Sequence, residues 1–278
     1  MLRFWGIELE GGALYNEGYK GGRQMNSERI NIILRELREH KVMRIDDLAQ
    51  KCFVSAYTVR RDLVELEKQG LIRRTYGRAI LTEGIHDMNS FSIRKYQWDD
   101  SKRAIGELAA DYVRDGDMVF LTASSTASYI IPYLSKRKGL TIITNGLPIA
   151  QEVLNELKDA KLITIGGRID PLMSAATGSA ACEFLNSVRA DVCFFSCRAL
   201  SLERGAMWHD EEVLAMVRKA ISISDKSICM CDSHKFGLTA SYALSPFSAI
   251  DTLITNSDPG EQWNETLLKH GVELVYAQ

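Results

Sequence analysis

The apolar residues of the chain first fall into a regular rhythm at Ile30, Ile33, Leu34 and Leu37. This i, i+3, i+4, i+7 spacing lays one buried stripe along a helix. A second stripe, Ile45, Leu48, Ala49 and Cys52, follows a short connection, and Asp46 and Asp47 at its start suit the positive end of a helix dipole. Phe53, Val54 and Ser55 break the period. Ser55 is placed as the N-cap of a third helix, whose stripe is Val59, Leu63 and Leu66 and whose stop is Gly70. The stretch LIRRTYGRAIL then sets β-compatible residues around a Gly-Arg turn, predicting a two-stranded ribbon, or wing.

The period changes further along. HDMNSFSIRKYQW, from His86 to Trp98, has no strong repeat and predicts a connecting segment. Beyond it the apolar runs MVFLTA, LTIITN, KLITIGG, ADVCFFSC, SICMCDS and DTLITN alternate with the helical patterns TASYIIPYLSK, LPIAQEVLNEL, a helix near Ala180, and EEVLAMVRKAIS. Continuous apolar strands between amphipathic helices predict an α/β body with a mostly parallel sheet covered on both faces. The expected organisation is a winged helix-turn-helix over residues 25–82, a linker over 83–98 and an α/β domain over 99–278. Residues 1–24 contain two Gly-Gly pairs, no helical period and no apolar run of signal-peptide length. They are expected to be a flexible extension, with Met25 a candidate natural start.

Composition narrows the class. Of 278 residues, 46% are hydrophobic and 25% charged, and no run of about 18 apolar residues offers a membrane span, so a soluble, cytoplasmic chain is expected. The net charge of −2 conceals an asymmetry: residues 25–82 carry 12 basic and 8 acidic groups, whereas the rest of the periodic chain is acidic. A basic head on an acidic body hints at a polyanionic partner. The six cysteines sit mostly in apolar runs, with no paired CxxC, and are expected to be buried thiols of a reducing compartment. No metal and no cofactor is expected.

On a helical wheel, Val59, Leu63 and Leu66 share one side of the third helix, and Tyr57 and Arg61 point almost directly away from it. Arg60 and Thr58 flank the outward face, while Asp62 lies nearer the packed side, placed to orient an arginine. A major groove admits one helix, an arginine fork matches a guanine edge, and Ser55 or Thr58 near the helix start suits a phosphate. Arg73, Arg74, Tyr76 and Arg78 fall on the wing, where cations meet the backbone or the minor groove. The string VSAYTVRRDLVELEKQGLIRRTYGRA resembles the N-terminal signature of the DeoR family of bacterial transcription regulators, V-S-x-x-T-I-R-R-D-L, then L-x-x-x-G, then R-x-x-G-G-A. Arg78 replaces the second wing glycine of that signature.

The resemblance covers roughly residues 26 to 258. It implies a second domain similar in fold to ribose-5-phosphate isomerase, which binds a phosphorylated sugar or a related metabolite and thereby changes the grip on a double-stranded DNA operator. The matching segments lie at strand ends, where an open parallel sheet places its ligands. Ser124, Ser125 and Thr126 leave a strand and open a helix, which suits phosphate or serves as a plain N-cap. By resemblance, Thr144, Asn145, Gly166, Gly167 and Arg168 match further pocket positions, with Arg168 an anion partner, and Lys235 matches a family lysine. Glu212 matches a frequent family glutamate or begins a helix whose dipole it suits. Cys197 and Arg198 stand in a loop that departs from the commoner Gly-Ala-x-Gly-Ile form and resembles a Ser-Cys-Lys/Arg-Gly-Leu subgroup.

The related isomerases use a carboxylate-rich loop and a lysine for proton transfer. The corresponding loop here, Ser196 to Leu200, contains no carboxylate. The resemblance, with a loop that lacks the isomerase carboxylates, implies a homo-oligomeric repressor of carbohydrate metabolism genes. The alternative is an isomerase-like enzyme with an accessory DNA-binding head.

Overall fold

The computed structural model describes residues 27–68, 71–81 and 91–277; the expected extension, Gly70 and residues 83–90 of the expected linker lie outside the described residues. The three N-terminal stripes form helices Ser27–His40, Ile45–Lys51 and Ala56–Lys68. Their apolar residues converge with Leu71, Ile72, Ala79 and Leu81 on one small core.

The wing has one strand more than expected. Val42–Arg44 pairs antiparallel with Arg78–Leu81, which pairs in turn with Ile72–Thr75. Three residues are too few to show a period of two, so this strand is hidden in the sequence. Thr75 and Arg78 face each other across a two-residue turn in which Tyr76 and Gly77 have φ of 25° and 76°. Positive φ at both positions is the hairpin turn whose twist matches the strands. The turn is therefore Tyr-Gly rather than Gly-Arg, and Arg78 opens a strand.

The body is built on a seven-stranded, wholly parallel sheet. Its order is Glu273–Tyr276, Thr252–Thr255, Ser224–Met230, Ala190–Phe195, Met118–Leu121, Thr141–Thr144 and Lys161–Thr164. Alternate residues of the central strands enter two cores: Phe120, Cys193 and Phe195 face one side, and Val119, Leu121, Val192 and Phe194 the other. Burial on both faces is why these strands read as unbroken apolar runs. Small antiparallel elements decorate the sheet, namely the hairpin of Arg168–Asp170 with Ala175–Thr177 and a sheet of Ala199–Ser201, Gly205–Trp208 and Tyr242–Ser245.

A further expectation is corrected. Residues Ala127–Lys136 form 3₁₀ turns instead of an α-helix; Pro132 lies inside and has no N–H for the helical ladder. The later part of the expected linker is ordered: Phe91–Tyr96 is helical, and helix Asp99–Ala109 follows. Phe91 is buried in the body's core, and its N–H donates to the Leu172 carbonyl at 3.0 Å. Tyr96 packs on the head's core, and its carbonyl accepts from Asn31 Nδ2 at 2.8 Å. Two anchors five residues apart, one in each core, leave no period. Among the described residues no helix is long and apolar enough to cross a membrane.

Candidate functional sites

The third helix begins where its cap dictates. The Thr58 N–H donates to Ser55 Oγ at 3.2 Å, and the two hydroxyls lie 3.0 Å apart. Tyr57, Arg60 and Arg61 are exposed, Tyr57 to 73%. Asp62 turns inward and is buried, where it holds Arg29 of the first helix in a two-pronged ion pair, its second contact at 3.1 Å. That hydrogen-bonded carboxylate holds the Arg29 guanidinium above its ordinary range. The pair pins the third helix against the first and leaves its outer face open.

On the wing, Arg73, Tyr76 and Arg78 are exposed. Arg74 is engaged: its guanidinium grips Glu67 with contacts at 2.7 Å, and its N–H donates to the same carboxylate at 2.7 Å. These bonds, the backbone one first, hold Glu67 below the usual carboxylate range. Arg44, absent from the sequence expectations, faces Arg78 across the strand pair and shares with it a cleft that also includes His40 and Asp47. Phe53 was missed as well; it occupies the turn before Ser55 with φ 53° and is 95% exposed. Its signal was the break of period itself, an apolar residue with no stripe to join.

The body contains a cavity of about 410 Å³ at the C-terminal ends of its strands. Among the expected residues, Ser124, Ser125, Thr126, Cys197, Arg198 and Lys235 line it. The Lys235 ammonium reaches Ser196 Oγ at 3.1 Å, Asp232 at 3.1 Å and Thr126 Oγ1 at 3.5 Å. Burial works to lower its pKa, but Asp232 and the neighbouring thiols more than offset this, so Lys235 stays charged. Asp232 is held below its usual range against its own burial, chiefly by Lys235.

Ser124 caps the turn that follows it: its Oγ accepts from the N–H groups of Thr126 at 3.1 Å and Ala127 at 3.2 Å. Those two donors are thus engaged within the turn itself.

Lys102 is the important omission. It lies on helix Asp99–Ala109, lines the cavity and is 3% exposed, and its ammonium donates to the Arg94 carbonyl. Burial, reinforced by Lys235, pushes its pKa down to about 7. Arg94, Gln97 and Trp98 of the expected linker also line the cavity, and Trp98 stacks on His234 with ring centroids 3.4 Å apart. Four Lys and Arg side chains thus surround a space in which Asp232 is the lining carboxylate.

The remaining expected residues do not line this cavity, although Asn145 lines a small space beside it together with Ser124, Ser196 and Trp208. Thr144 Oγ1 accepts from the Gly146 N–H at 3.0 Å. Asn145 braces two loops, accepting from the Ala123 N–H at 2.9 Å and donating to the Ala176 carbonyl at 3.1 Å. Gly166 and Gly167 follow the edge strand, and a Cβ on Gly167 would stand 2.9 Å from the Thr177 carbonyl oxygen. Arg168 and Glu212 pair with each other, both exposed, and neither lines the cavity.

A family model described as DeoR C terminal sensor domain matches residues 98–257, and one described as DeoR-like helix-turn-helix domain matches residues 29–84. The HTH-type transcriptional repressor GlcR of Bacillus subtilis is 32% identical, over 90% of this chain and 96% of that protein. A putative aga operon transcriptional repressor of Escherichia coli O157:H7 is 28% identical, over 90% of this chain and 93% of that protein. A ribose 5-phosphate isomerase A from Methanocaldococcus jannaschii aligns with a TM-score of 0.38 and 14% identity, covering 50% of this chain and 54% of that one.

Proposed function

The chain belongs to the DeoR family of transcription regulators, and from that premise we propose that it is a cytoplasmic, homo-oligomeric repressor of carbohydrate metabolism genes released by a phosphorylated sugar. That the chain is a DNA-binding regulator and not an enzyme follows from its family. The effector, the target genes and the individual contacts are our reading.

In this reading Tyr57 and Arg61 meet base edges in the major groove. Arg60, Ser55 and Thr58 serve phosphates, and Arg73, Tyr76 and Arg78 serve the backbone beside the wing. Arg74 contributes less, because Glu67 already neutralises it. A single head reads few base pairs, so two heads on paired half-sites give the affinity an operator needs.

The observation that carries the effector class is the charge of the cavity. Arg94, Lys102, Arg198 and Lys235 line it against Asp232 alone among carboxylates of the described residues. Lys235 is already matched by Asp232, whereas Lys102 is buried with a backbone carbonyl as its bonded partner, a costly state that a bound anion relieves. Trp98 and Trp208 add flat apolar surface of the kind a sugar ring packs against, and the size suits a small phosphorylated metabolite. Release then follows from a higher effector affinity in the DNA-poor state.

The test is DNA binding by the full chain to its own upstream region, measured across a salt series with a panel of phosphosugars. Affinity that falls steeply with salt, and falls further with one class of phosphosugar, is expected. Salt-sensitive binding that no phosphosugar alters removes the effector assignment, and retained affinity in Arg61→Ala removes the recognition-face assignment.

A further inference from the structure

One face of the central sheet carries a group of thiols on two neighbouring strands. Cys193 lies in strand Ala190–Phe195 and Cys197 two residues past its end; Cys229 lies in strand Ser224–Met230 and Cys231 directly after it. All four belong to the same buried core. The parallel register sets Ser227 opposite Cys193 and Cys229 opposite Phe195. Two residues further on, the same register brings Cys231 to Cys197, and their sulfurs stand 3.6 Å apart.

A disulfide needs its sulfurs at about 2.05 Å, so closure asks for an approach of about 1.5 Å, within reach of side-chain rotation and a small strand-end shift. Cys197 lines the cavity, so the pair is approached from its side. Its surroundings favour the reactive form. Contact with the Cys229 and Cys231 sulfurs holds the Cys197 thiol well below its ordinary range against its burial, and the Lys235 ammonium acts in the same direction. Cys231 is held up, by burial and by its bond to Cys197. A low thiol beside a high one separates an attacking sulfur from a resolving one.

We propose that Cys197 and Cys231 form a reversible disulfide at the cavity wall when a hydroperoxide enters, making the effector pocket a thiol redox site. The Cys197 thiolate attacks the terminal peroxide oxygen; the S–O bond forms as the O–O bond breaks, and the departing hydroxide takes a proton. The Cys231 sulfur then attacks the sulfenic sulfur and displaces water. Two thiols lose two electrons and two protons, and one hydrogen peroxide becomes two waters. Bridge formation depends on the geometry of the cavity wall and not on which effector the cavity binds.

The experiment treats the full-length chain with hydrogen peroxide, alkylates the remaining thiols under denaturing conditions and maps the peptides by mass spectrometry. Two fewer alkylated thiols, a peptide linking residue 197 to residue 231, and recovery of both thiols with dithiothreitol are expected. Cys197→Ser and Cys231→Ser each abolish the link, while Cys52→Ser leaves it. Unchanged alkylation, oxidation confined to the less buried Cys52 or Cys182, or conversion of Cys197 to sulfinic acid without a link each overturns the proposal. The first measurement uses the unaltered chain, so its outcome stands even where a variant misfolds.

Discussion

Replacing Lys102 with methionine is expected to stabilise the fold while weakening anion binding. Lys102 is 3% exposed, and its ammonium donates to the Arg94 carbonyl. Lys235 and Arg94 oppose its charge, Asp232 and Asp99 support it, and the Tyr129 ring lies 5.9 Å away. The balance, dominated by burial, lowers its pKa from 10.5 to about 7. That fall corresponds to about 5 kcal/mol lost whenever the lysine is charged in both states. Methionine keeps the length of the chain and removes the penalty, but leaves the Arg94 carbonyl without its donor, which costs roughly 1 kcal/mol. A net gain of about 3–4 kcal/mol is expected at about pH 6.5, where the penalty is still nearly complete.

The pH dependence has a definite sign. Below pH 7 folded and unfolded chains both hold the proton, and the penalty is complete. Between pH 7 and 10.5 the unfolded chain holds a proton that the folded one lacks, so the wild type gains stability as pH rises, by about 1.4 kcal/mol per pH unit from this group. The advantage of Lys102→Met therefore shrinks through that window and vanishes above it. Urea unfolding of both proteins at about pH 6.5, 8 and 9.5 measures this. Calorimetry with inorganic phosphate at the lowest of these should show affinity lower by roughly tenfold to a hundredfold in the variant, as expected for one charge-assisted hydrogen bond. A variant no more stable than wild type at that pH, or a difference that does not change with pH, rules out a buried Lys102 that folding strips of its proton.

Three further outcomes are expected. Asp62→Ala removes the buried carboxylate that ties the third helix to the half-buried Arg29 and should destabilise the head by about 1–3 kcal/mol in denaturant unfolding, with Asp62→Asn milder. Arg61→Ala should cost about 1–3 kcal/mol on a specific duplex and relax base preference there, whereas Arg73→Ala should weaken all duplexes alike and reduce the salt slope by about 1. Gly106→Ala places a Cβ 2.3 Å from the Tyr129 carbonyl oxygen, so helix Asp99–Ala109 must move off the following turns; a loss of roughly 2 kcal/mol or more, read by thermal unfolding, is expected.

The elements visible in the sequence are those with a repeating environment. Ile30, Ile33, Leu34 and Leu37 all meet the same core, and Val119 to Leu121 are buried on both faces, so each leaves a pattern. Val42–Arg44 is too short to leave one, and Phe91 and Tyr96 each serve a different core. The same contrast runs through the cavity. Ser124 to Thr126 and Lys235 stand in recognisable strand-end motifs, while Lys102 and Trp98 look like ordinary residues at the start of an amphipathic helix. Asn145 and Gly167 stand in equally recognisable motifs; Asn145 bonds two loops, and Gly167 lies too close to the Thr177 carbonyl for a Cβ.

The head, the α/β class of the body and the outward set of Tyr57 and Arg61 were all legible from the order of residues, because periodicity and capping act between neighbours close along the chain. Only the packed fold set which cations share the cavity, that Glu67 occupies Arg74, that Arg168 turns to Glu212, and that Cys197 meets Cys231. Burial and charge pairing depend on distances between elements far apart in the chain, and no local pattern encodes those distances.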